Sequence, residues 1–566
     1  MPWLCCGSFP NALRSTSTQL AEALLAEVIA EAPQASMSLL QSLDDVLTSI
    51  RTVVRSTINT HRLPNRLPPE LLSYIFQFIP QPCYVSDRYA PFASFTRTED
   101  LLPVTHVCRH WRQTALSTPR LWHSISSRAP RNVSATFSQR SKAVPLSIVV
   151  RATPSADFCQ GVMQMHSGRL QALYASVNFD DKIGGLMDFP APNLEVLLLH
   201  SNASASSTHQ PRPITLCRGE LPRLKFLSLH QCPIRPANAF PNLTHLNISH
   251  QSMGSIAGLL SFFSSAPRLT QLILVNLSTS MASVDTNGPK VTLDHMRDLA
   301  MVHIAPDFVS AILSQLILPA NMAIQLDHMR VPAGSFFHNL PRIAALEAAT
   351  KLCVEGTRSR LTVTAAGAAS AVRMKFDVDS GHPSLLDAEW LSSLMAALPL
   401  ARCTELWWLD GLVPCPSLAR LTVLRQTLSS MPALTELVLF DTVLQGVRSL
   451  IESLHISSTP ALGLSGALLQ PAPALSTLRL LMLGTVLPPA VEKLAADRAY
   501  YGIPLQHLIL ELPHKLRLSE EQKDILRTLQ ALVGSVDIVS GGGMPAMPLP
   551  PVCYDAFSYW GCSRVW

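Results

Sequence analysis

The sequence is poor in charged residues, and this scarcity excludes several classes of protein. Charged side chains make up 15% of the 566 residues against 48% hydrophobic ones, whereas soluble domains average about 25% charged residues. Because such a composition can bury much apolar surface, a wholly disordered chain is excluded. The 44 Lys and Arg residues exceed the 39 Asp and Glu residues by only five. They form no concentrated basic run, which argues against nucleic acid as a partner.

The twelve cysteines are scattered along the chain, and no C-x-x-C pair occurs. This spacing argues against a disulfide scaffold and predicts a reduced, intracellular protein in the cytoplasm, the nucleus or both. The N-terminus has no basic stretch ahead of an apolar one, so no secretory signal is expected. The best candidate for a membrane span, residues 308–326, contains Pro319, Asn321 and four further polar residues. We therefore expect a soluble chain without membrane contact.

Motifs of catalysis and metal binding do not occur. The patterns G-x-G-x-x-G, G-x-x-x-x-G-K-[ST], G-x-S-x-G and H-E-x-x-H are all missing, which removes the usual phosphate loops and the hydrolase elbow. His106, Cys108 and His110 are two residues apart in a predicted helix, where they point to different faces and cannot share a metal ion. We expect no enzyme activity, no cofactor and no metal. The alternative is a hydrolase or transferase site in residues 285–400, which would show a pocket with convergent polar groups.

Two amphipathic helices are predicted ahead of residue 61. The first covers residues 19–32 and ends at Pro33. The second begins at Ser36 or Ser38, either of which can cap it. Its apolar residues recur every three or four positions, so one side of the helix can pack on another helix. We expect that partner helix to belong to the same chain. The apolar residues are Leu39, Leu40, Leu43, Val46, Leu47, Ile50, Val54 and Ile58.

A second pair of helices is predicted between residues 68 and 118. Pro68 and Pro69 suit a first helical turn, where their missing N–H groups cost nothing, and Glu70 complements the positive helix end. Pro80 ends the first of these helices and Pro119 follows the second. The apolar stripes are Leu71, Leu72, Ile75, Phe76 and Ile79 in the first helix, and Val104, Val107, Cys108, Trp111 and Ala115 in the second.

Three segments of these helices carry a resemblance to a known family: residues 67–76 (LPPELLSYIF), 107–112 (VCRHWR) and 115–122 (ALSTPRLW). In this order they resemble an F-box, and they are particularly similar to the expanded F-box family of mushroom-forming fungi. The connection over residues 81–101 is longer than the family pattern and would loosen the packing of the two helices.

The resemblance implies a Skp-type adaptor and a cullin-RING ubiquitin ligase as partners. Residues that match the family motif would contribute to the helical module and to its apolar contact with the adaptor. Some of them must instead form the core of the module, and the sequence does not sort the two groups. The residues are Leu67, Pro68, Leu71, Ile75, Phe76, Val107, Trp111, Leu121 and Trp122.

From residue 145 onward an apolar phrase, P-x-L-x-x-L-x-L, recurs. It begins at Pro192, Pro222, Pro241 and Pro267, and it returns less perfectly at Pro416, Pro432, Pro473 and Pro504. The first four prolines are 30, 19 and 26 residues apart, which scatters around the leucine-rich-repeat period of about 20–29. In such repeats the leucines point into a shared core, while the intervening strand positions line the outer, concave face.

These outward positions are the predicted site for a target protein. Their mixture of apolar and neutral polar side chains suits a protein or peptide better than a phosphate-rich polymer. The residues are Phe226, Ser228, His230, His245, Asn247, Gln271, Glu436, Val438 and Phe440. A charge at these positions should disturb target capture, and a charge at an inward leucine should unfold the array. His200 and His230 follow the last leucine of two phrases, so we expect them to lie close together.

Together these patterns predict an α/β protein in which an N-terminal helical F-box module precedes an irregular leucine-rich-repeat solenoid of parallel strands with helices. The predicted domains are N-terminal helices (1–60), the F-box (61–127), the solenoid with irregular insertions (140–539) and a flexible tail (540–566), whose aromatic end would dock back on the solenoid. The expected function is substrate recognition in an SCF-type cullin-RING ubiquitin ligase. The alternative is a non-degradative leucine-rich-repeat interaction scaffold.

Overall fold

The structure is a computed structural model of the chain, which divides into two compact units. The first unit comprises Met1–Gln81 and Thr98–Trp122, and the second comprises Pro82–Arg97 and His123–Trp566. The structure describes residues 11–31, 36–82, 95–151, 158–177, 187–201, 212–252, 255–277, 290–330, 341–357, 360–377, 388–410, 418–441, 451, 454, 472–482, 489–512, 520–540 and 547–555.

The first unit is built from helices. They are α1 (Asn11–Glu31), α2 (Met37–Thr60), α3 (Pro69–Phe76) and α4 (Arg109–Ser117), with short 3-10 helices at Leu63–Arg66, Thr98–Leu101, Pro103–His106 and Pro119–Trp122. The Ser36 hydroxyl accepts a hydrogen bond from the Leu39 N–H at 3.4 Å and caps α2, as predicted. The apolar stripe of α2 does not pack as predicted, because no residue of this helix is buried.

The second unit is built around a large sheet. Within the described residues, seventeen strands form this sheet and four more form two small ribbons. The strands are β1 (Ser124–Ser126), β2 (Leu146–Arg151), β3 (Leu170–Val177), β4 (Val196–Ser201), β5 (Arg212–Ile214), β6 (Phe226–His230), β7 (Ile234–Pro236), β8 (His245–Ser249), β9 (Gln271–Val275), β10 (Val291–Thr292), β11 (Asp298–Val302), β12 (Leu316–Ile317), β13 (Ala323–Arg330), β14 (Lys351–Thr357), β15 (Arg360–Ala366), β16 (Ala371–Asp377), β17 (Glu405–Asp410), β18 (Glu436–Asp441), β19 (Thr477–Met482), β20 (His507–Leu512) and β21 (Ser535–Ser540).

Most of the sheet is parallel, and its strands pair largely in chain order. One parallel run joins β1, β2, β3, β4, β6, β8, β9, β11 and β13. A second parallel run joins β14, β17, β18, β19, β20 and β21. Between the runs, β13 pairs in parallel with β16, whereas β16 with β15 and β15 with β14 are antiparallel. The ribbons are the parallel pairs β5–β7 and β10–β12.

The leucines of the recurring phrase form columns across this sheet. Leu197, Leu227, Leu246 and Leu272 of the phrase, together with Leu299 of β11, lie directly opposite one another on five successive strands of the sheet, and all are buried. Burial of each such side chain contributes about 1.5–3 kcal/mol. Because a slip of one residue would turn a whole strand over, these columns hold the register of the sheet. The predicted burial of these leucines is confirmed.

Most helices of the second unit lie between strands in sequence, and the last one follows β21. They are α5 (Arg131–Arg140), α6 (Ile256–Ser264), α7 (Pro306–Gln315), α8 (Ala344–Glu347), α9 (Ala388–Ala396), α10 (Leu418–Ser429), α11 (Pro489–Tyr500), α12 (Glu520–Leu532) and α13 (Val552–Asp555). The prediction of a repeat strand after Pro416 is wrong, because that segment forms α10. Among its residues 423–429, Val423, Leu424, Thr427 and Leu428 are buried, and their spacing is that of one helical face.

The candidate membrane span at residues 308–326 is divided among α7, β12 and β13. No helix in the described part of the chain is both long and apolar enough to cross a membrane.

The described elements make a mixed α/β protein with helices in the N-terminal region and a large, mostly parallel sheet after them. The predicted leucine-rich-repeat solenoid is not confirmed. A repeat is defined by a strand together with its returning segment, and several returning segments, among them 178–186, 202–211 and 278–289, lie outside the described residues. The parallel runs are interrupted by β15, which is antiparallel to both of its neighbours.

Candidate functional site

Helix α3 has two apolar faces with different surroundings. Leu72 and Phe76, four residues apart, are fully buried. Leu71 and Ile75 are also four residues apart, yet they are 51% and 47% exposed. Successive residues of a helix are rotated by about 100° around its axis. The pair of residues 71 and 75 therefore lies beside the pair of residues 72 and 76 on the helix surface. The single stripe read from the sequence is therefore a core face next to an exposed face.

The core face of α3 packs on an aromatic residue of α4, and the 3-10 helix that follows α4 bonds back to it. The rings of Phe76 and Trp111 are 5.2 Å apart between centroids. Trp122 is fully buried, and its Nε1–H donates a hydrogen bond of 2.8 Å to the Ala115 carbonyl. A buried indole with a satisfied N–H contributes both apolar area and orientation. These contacts hold α3 and α4 as one small helical module.

Polar contacts fix the chain around this module. The Cys108 sulfur accepts a hydrogen bond from the Trp111 N–H at 3.5 Å and caps α4. The Asn65 amide donates to the Asn59 carbonyl at 2.6 Å and ties the end of α2 to the 3-10 helix that precedes α3. The Gln81 N–H donates to the Asp100 carboxylate at 3.0 Å, so the two ends of the long connection are held together. The predicted loosening of the helix packing stays a prediction, and residues 83–94 lie outside the described residues.

The exposed apolar residues of this module form what we call the apolar helix surface. Phe78, one turn beyond Tyr74, is 70% exposed, and the two rings meet edge to face at 5.1 Å. Large apolar side chains concentrated on a short helix and its flanks mark an interaction site more often than chance exposure does. The residues of this surface are Leu63, Leu71, Tyr74, Ile75, Phe78 and Val107.

The structure sorts the nine residues that the family motif marked for the adaptor. Phe76, Leu121 and Trp122 belong to the core of the module. Leu67 and Trp111 are half-buried, and Pro68, Leu71, Ile75 and Val107 are exposed. Only the last four are placed for direct contact, and adaptor binding by them stays a prediction.

Leu63, Tyr74 and Phe78 are exposed apolar residues that the sequence analysis did not single out. Tyr74 and Phe78 are four residues apart, about one helical turn. This spacing is the feature of the sequence that could have predicted a shared exposed face.

Comparison with known families supports the resemblance in this region. A family model described as F-box-like matches residues 64–128. The match includes α3, α4 and the buried Trp122, and it supports an F-box protein. Comparison with curated proteins gives no significant match.

The outer face of the sheet, which is opposite the inward leucines, carries the nine residues predicted to bind a target. His230, His245, Glu436 and Phe440 are half-buried. The other five, Phe226, Ser228, Asn247, Gln271 and Val438, are buried. A charge at these five positions would therefore disturb folding as well as any binding. Target binding stays a prediction.

Phe226 is buried because another segment covers it. Phe95 packs on the outer face together with Tyr174, Leu198 and Phe226, and its ring centroid is 6.2 Å from that of Tyr174. The Ser124 hydroxyl donates to the Thr96 carbonyl at 2.7 Å and holds this segment in place. The long connection of the F-box region thus supplies an apolar side chain to the sheet.

A row of imidazoles runs along one end of the strands. The His200 and His230 rings are 4.5 Å apart, which confirms the predicted proximity, and the His250 ring is 5.0 Å from that of His230. Burial, and then the neighbouring His200 and His250, lower the pKa of His230 to about 4. His230 Nδ1 and the Ser249 hydroxyl are hydrogen-bonded at 2.8 Å. Across the described residues, no group of three His, Cys, Asp or Glu side chains is arranged to hold a metal ion.

Proposed function

We propose that this protein is the substrate-recognition subunit of an SCF-type cullin-RING ubiquitin ligase. The apolar helix surface binds a Skp-type adaptor, and the sheet of the second unit holds a target protein. The observation that carries the proposal is the exposure of Leu71 and Ile75 on a helix whose neighbouring face is core, within a region that matches an F-box-like family model. This function belongs to the cytoplasm or the nucleus.

In this proposal the chain supplies no chemistry of its own. It tethers a target near a charged ubiquitin carrier, and the tether raises the effective concentration of the two reactants. The adaptor contact therefore has to be stable, whereas the target contact has to be selective. An apolar surface that becomes fully buried suits the first requirement.

The target-binding half of the proposal includes the leucine-rich-repeat interpretation. The aligned leucine columns and the parallel pairing of successive strands support it. Such arrays present an extended face to a partner protein. The particular resemblance to the expanded fungal F-box family belongs to the same proposal.

The decisive experiment is co-purification of the full chain with a Skp-type adaptor. The test variant carries Leu71→Asp and Ile75→Asp, and the matched control carries Gln113→Asp at an exposed polar position of α4. Each buried apolar anchor contributes about 1.5–3 kcal/mol, so loss of both should weaken the complex by at least about 100-fold. The control should bind as the native chain does.

A folding control separates binding from stability. Phe76→Ala removes a fully buried ring and should lower the free energy of unfolding by about 3–5 kcal/mol, whereas the variant at residues 71 and 75 should keep its native circular dichroism and melting temperature. A native chain that is folded but does not bind the adaptor would overturn the ligase proposal. It would favour the non-degradative scaffold.

A further inference from the structure

The chain covers part of its own outer face with a segment from near its C-terminus. Met547 and Cys553 are buried in one apolar cluster with Trp407, Val438 and Leu481. Phe440, Leu549 and Val552 pack against the same cluster. The covered face includes Val438 and Phe440, two of the residues that the sequence marks for target binding.

The covered patch of the outer face, which we call the groove, contains an indole ring with charged side chains beside it. Trp407, Val438 and Arg479 lie opposite one another on β17, β18 and β19. The Trp407 Nε1–H donates to the Glu405 carboxylate at 2.6 Å. The Arg479 guanidinium lies 5.8 Å from the centroid of the Trp407 ring. Arg479 also pairs with Glu511 on β20. The indole is thus held in position by groups of the sheet itself.

The covering segment is held by side chains and not by strand pairing. Its sequence from residue 547 is Met-Pro-Leu-Pro-Pro-Val-Cys-Tyr-Asp. Among the described residues, its backbone hydrogen bonds are local, from the Cys553 N–H to the Pro550 carbonyl at 3.0 Å and from the Tyr554 N–H to the Pro551 carbonyl at 2.9 Å. Pro548, Pro551 and Tyr554 remain exposed. The segment therefore occupies the groove as a bound peptide would.

We propose that this groove is a binding site for an apolar, proline-containing peptide segment, and that residues 547–553 are its intramolecular occupant. A target segment of the same chemistry replaces them. Because the occupant is tethered, its effective concentration is in the millimolar range, so a target must bind well or present several copies to displace it. The role of the displacing peptide as a ubiquitination target rests on the proposed function; the groove and its occupant do not.

The first test follows the Cys553 thiol in the full chain. This thiol is buried, and burial raises its pKa to about 12. Cys217 is equally buried, with a pKa also raised to about 12, and it lies outside the groove cluster. If the segment detaches while the sheet stays folded, iodoacetamide should alkylate Cys553 at least tenfold faster than Cys217, as measured by mass spectrometry.

The second test offers the segment in trans. The probe is a fluorescein-labelled peptide of residues 544–555, with Ser in place of Cys553 to prevent disulfide exchange. The full-chain variant Leu549→Asp with Val552→Asp removes two groove contacts, and Pro548→Asp with Tyr554→Asp adds the same charges at exposed positions. The first variant should bind the probe at least tenfold more tightly than the native chain and the control do.

The binding site of the probe is checked by a third substitution. In the variant that carries Leu549→Asp and Val552→Asp, the added substitution Phe440→Ala should abolish probe binding. Tyr500→Ala truncates an aromatic ring that is 84% exposed and should leave probe binding unchanged. Equal alkylation rates for Cys553 and Cys217, or no gain of probe binding on release, would show that residues 547–553 are a permanent part of the core. None of these assays contains an adaptor, so their failure and the failure of the ligase proposal are distinguishable.

Discussion

Adjacent apolar residues of α3 have different surroundings, although they are chemically alike. Leu72 is fully buried, while Leu71 beside it is half-exposed. Both fit an apolar stripe at helical spacing, and the sequence contains no signal that separates them. The direction from which Trp111 approaches Phe76 decides which pair becomes core. Sequence periodicity thus located the helix, whereas the position of α4 decided which of its faces stays exposed.

The single residue His230 should make the free energy of unfolding depend on pH. Its folded pKa of about 4 lies below the value of 6.5 for an unperturbed histidine. Between these values the unfolded chain binds a proton that the folded chain does not, so the free energy of unfolding should fall as the pH decreases from about 6.5 to 4. His230→Asn should make this fall shallower in urea titrations at several pH values.

The control for the pH prediction is His61→Asn, which removes a solvent-exposed imidazole at the end of α2. It should leave the native pH profile unchanged. An identical slope for the native chain and His230→Asn would contradict the assignment of this dependence to the imidazole row.

At the scale of elements, a proline phrase or a simple alternation of apolar residues predicted strands, but the phrase alone was not sufficient. β6, β8 and β9 follow the phrase, whereas the segment after Pro416 forms α10. Its buried residues recur at helical spacing, and this pattern overrides the initial proline. The antiparallel pairing of β15 with its neighbours was also beyond the sequence pattern, because alternation predicts a strand but not its partner.

The turn between β15 and β16 depends on a glycine. The Gly367 N–H donates to the Ser370 carbonyl at 2.8 Å, and a Cβ at residue 367 would lie 2.5 Å from the Ala348 carbonyl oxygen. Gly367→Ala should therefore lower the free energy of unfolding by about 1–3 kcal/mol. Gly168→Ala, where nothing lies within 4 Å of the new Cβ, should change it by less than about 0.5 kcal/mol. Urea unfolding measures both values, and equal losses would refute the steric argument.

At the scale of the whole molecule, each unit has its own core. Phe76 and Trp122 belong to the first unit, and the leucine columns belong to the second. A ligand that binds only the native state stabilises the part of the molecule that holds it. Adaptor binding should therefore act on the first unit and leave the second unit's intrinsic stability unchanged.

Hydrogen exchange of the full chain tests this independence. An adaptor at about 100 times its Kd should add about 2.7 kcal/mol of protection, or about 100-fold slower exchange, to the amides of α3 and α4. The amides of β6 and β8 should exchange at the same rate with and without it. Uniform protection of both units would show that they open together.

The sequence by itself determined the two classes of element in this protein, their order and the inward leucines, because these depend on local periodicity and on the burial of apolar side chains. It also located the F-box-like segment through the order of short motifs. Only the tertiary structure decided which apolar residues stay exposed on α3, how β15 interrupts the parallel sheet, and that residues 547–553 cover part of the outer face. Each of these depends on contacts between segments far apart in the chain, and periodicity carries no information about such contacts.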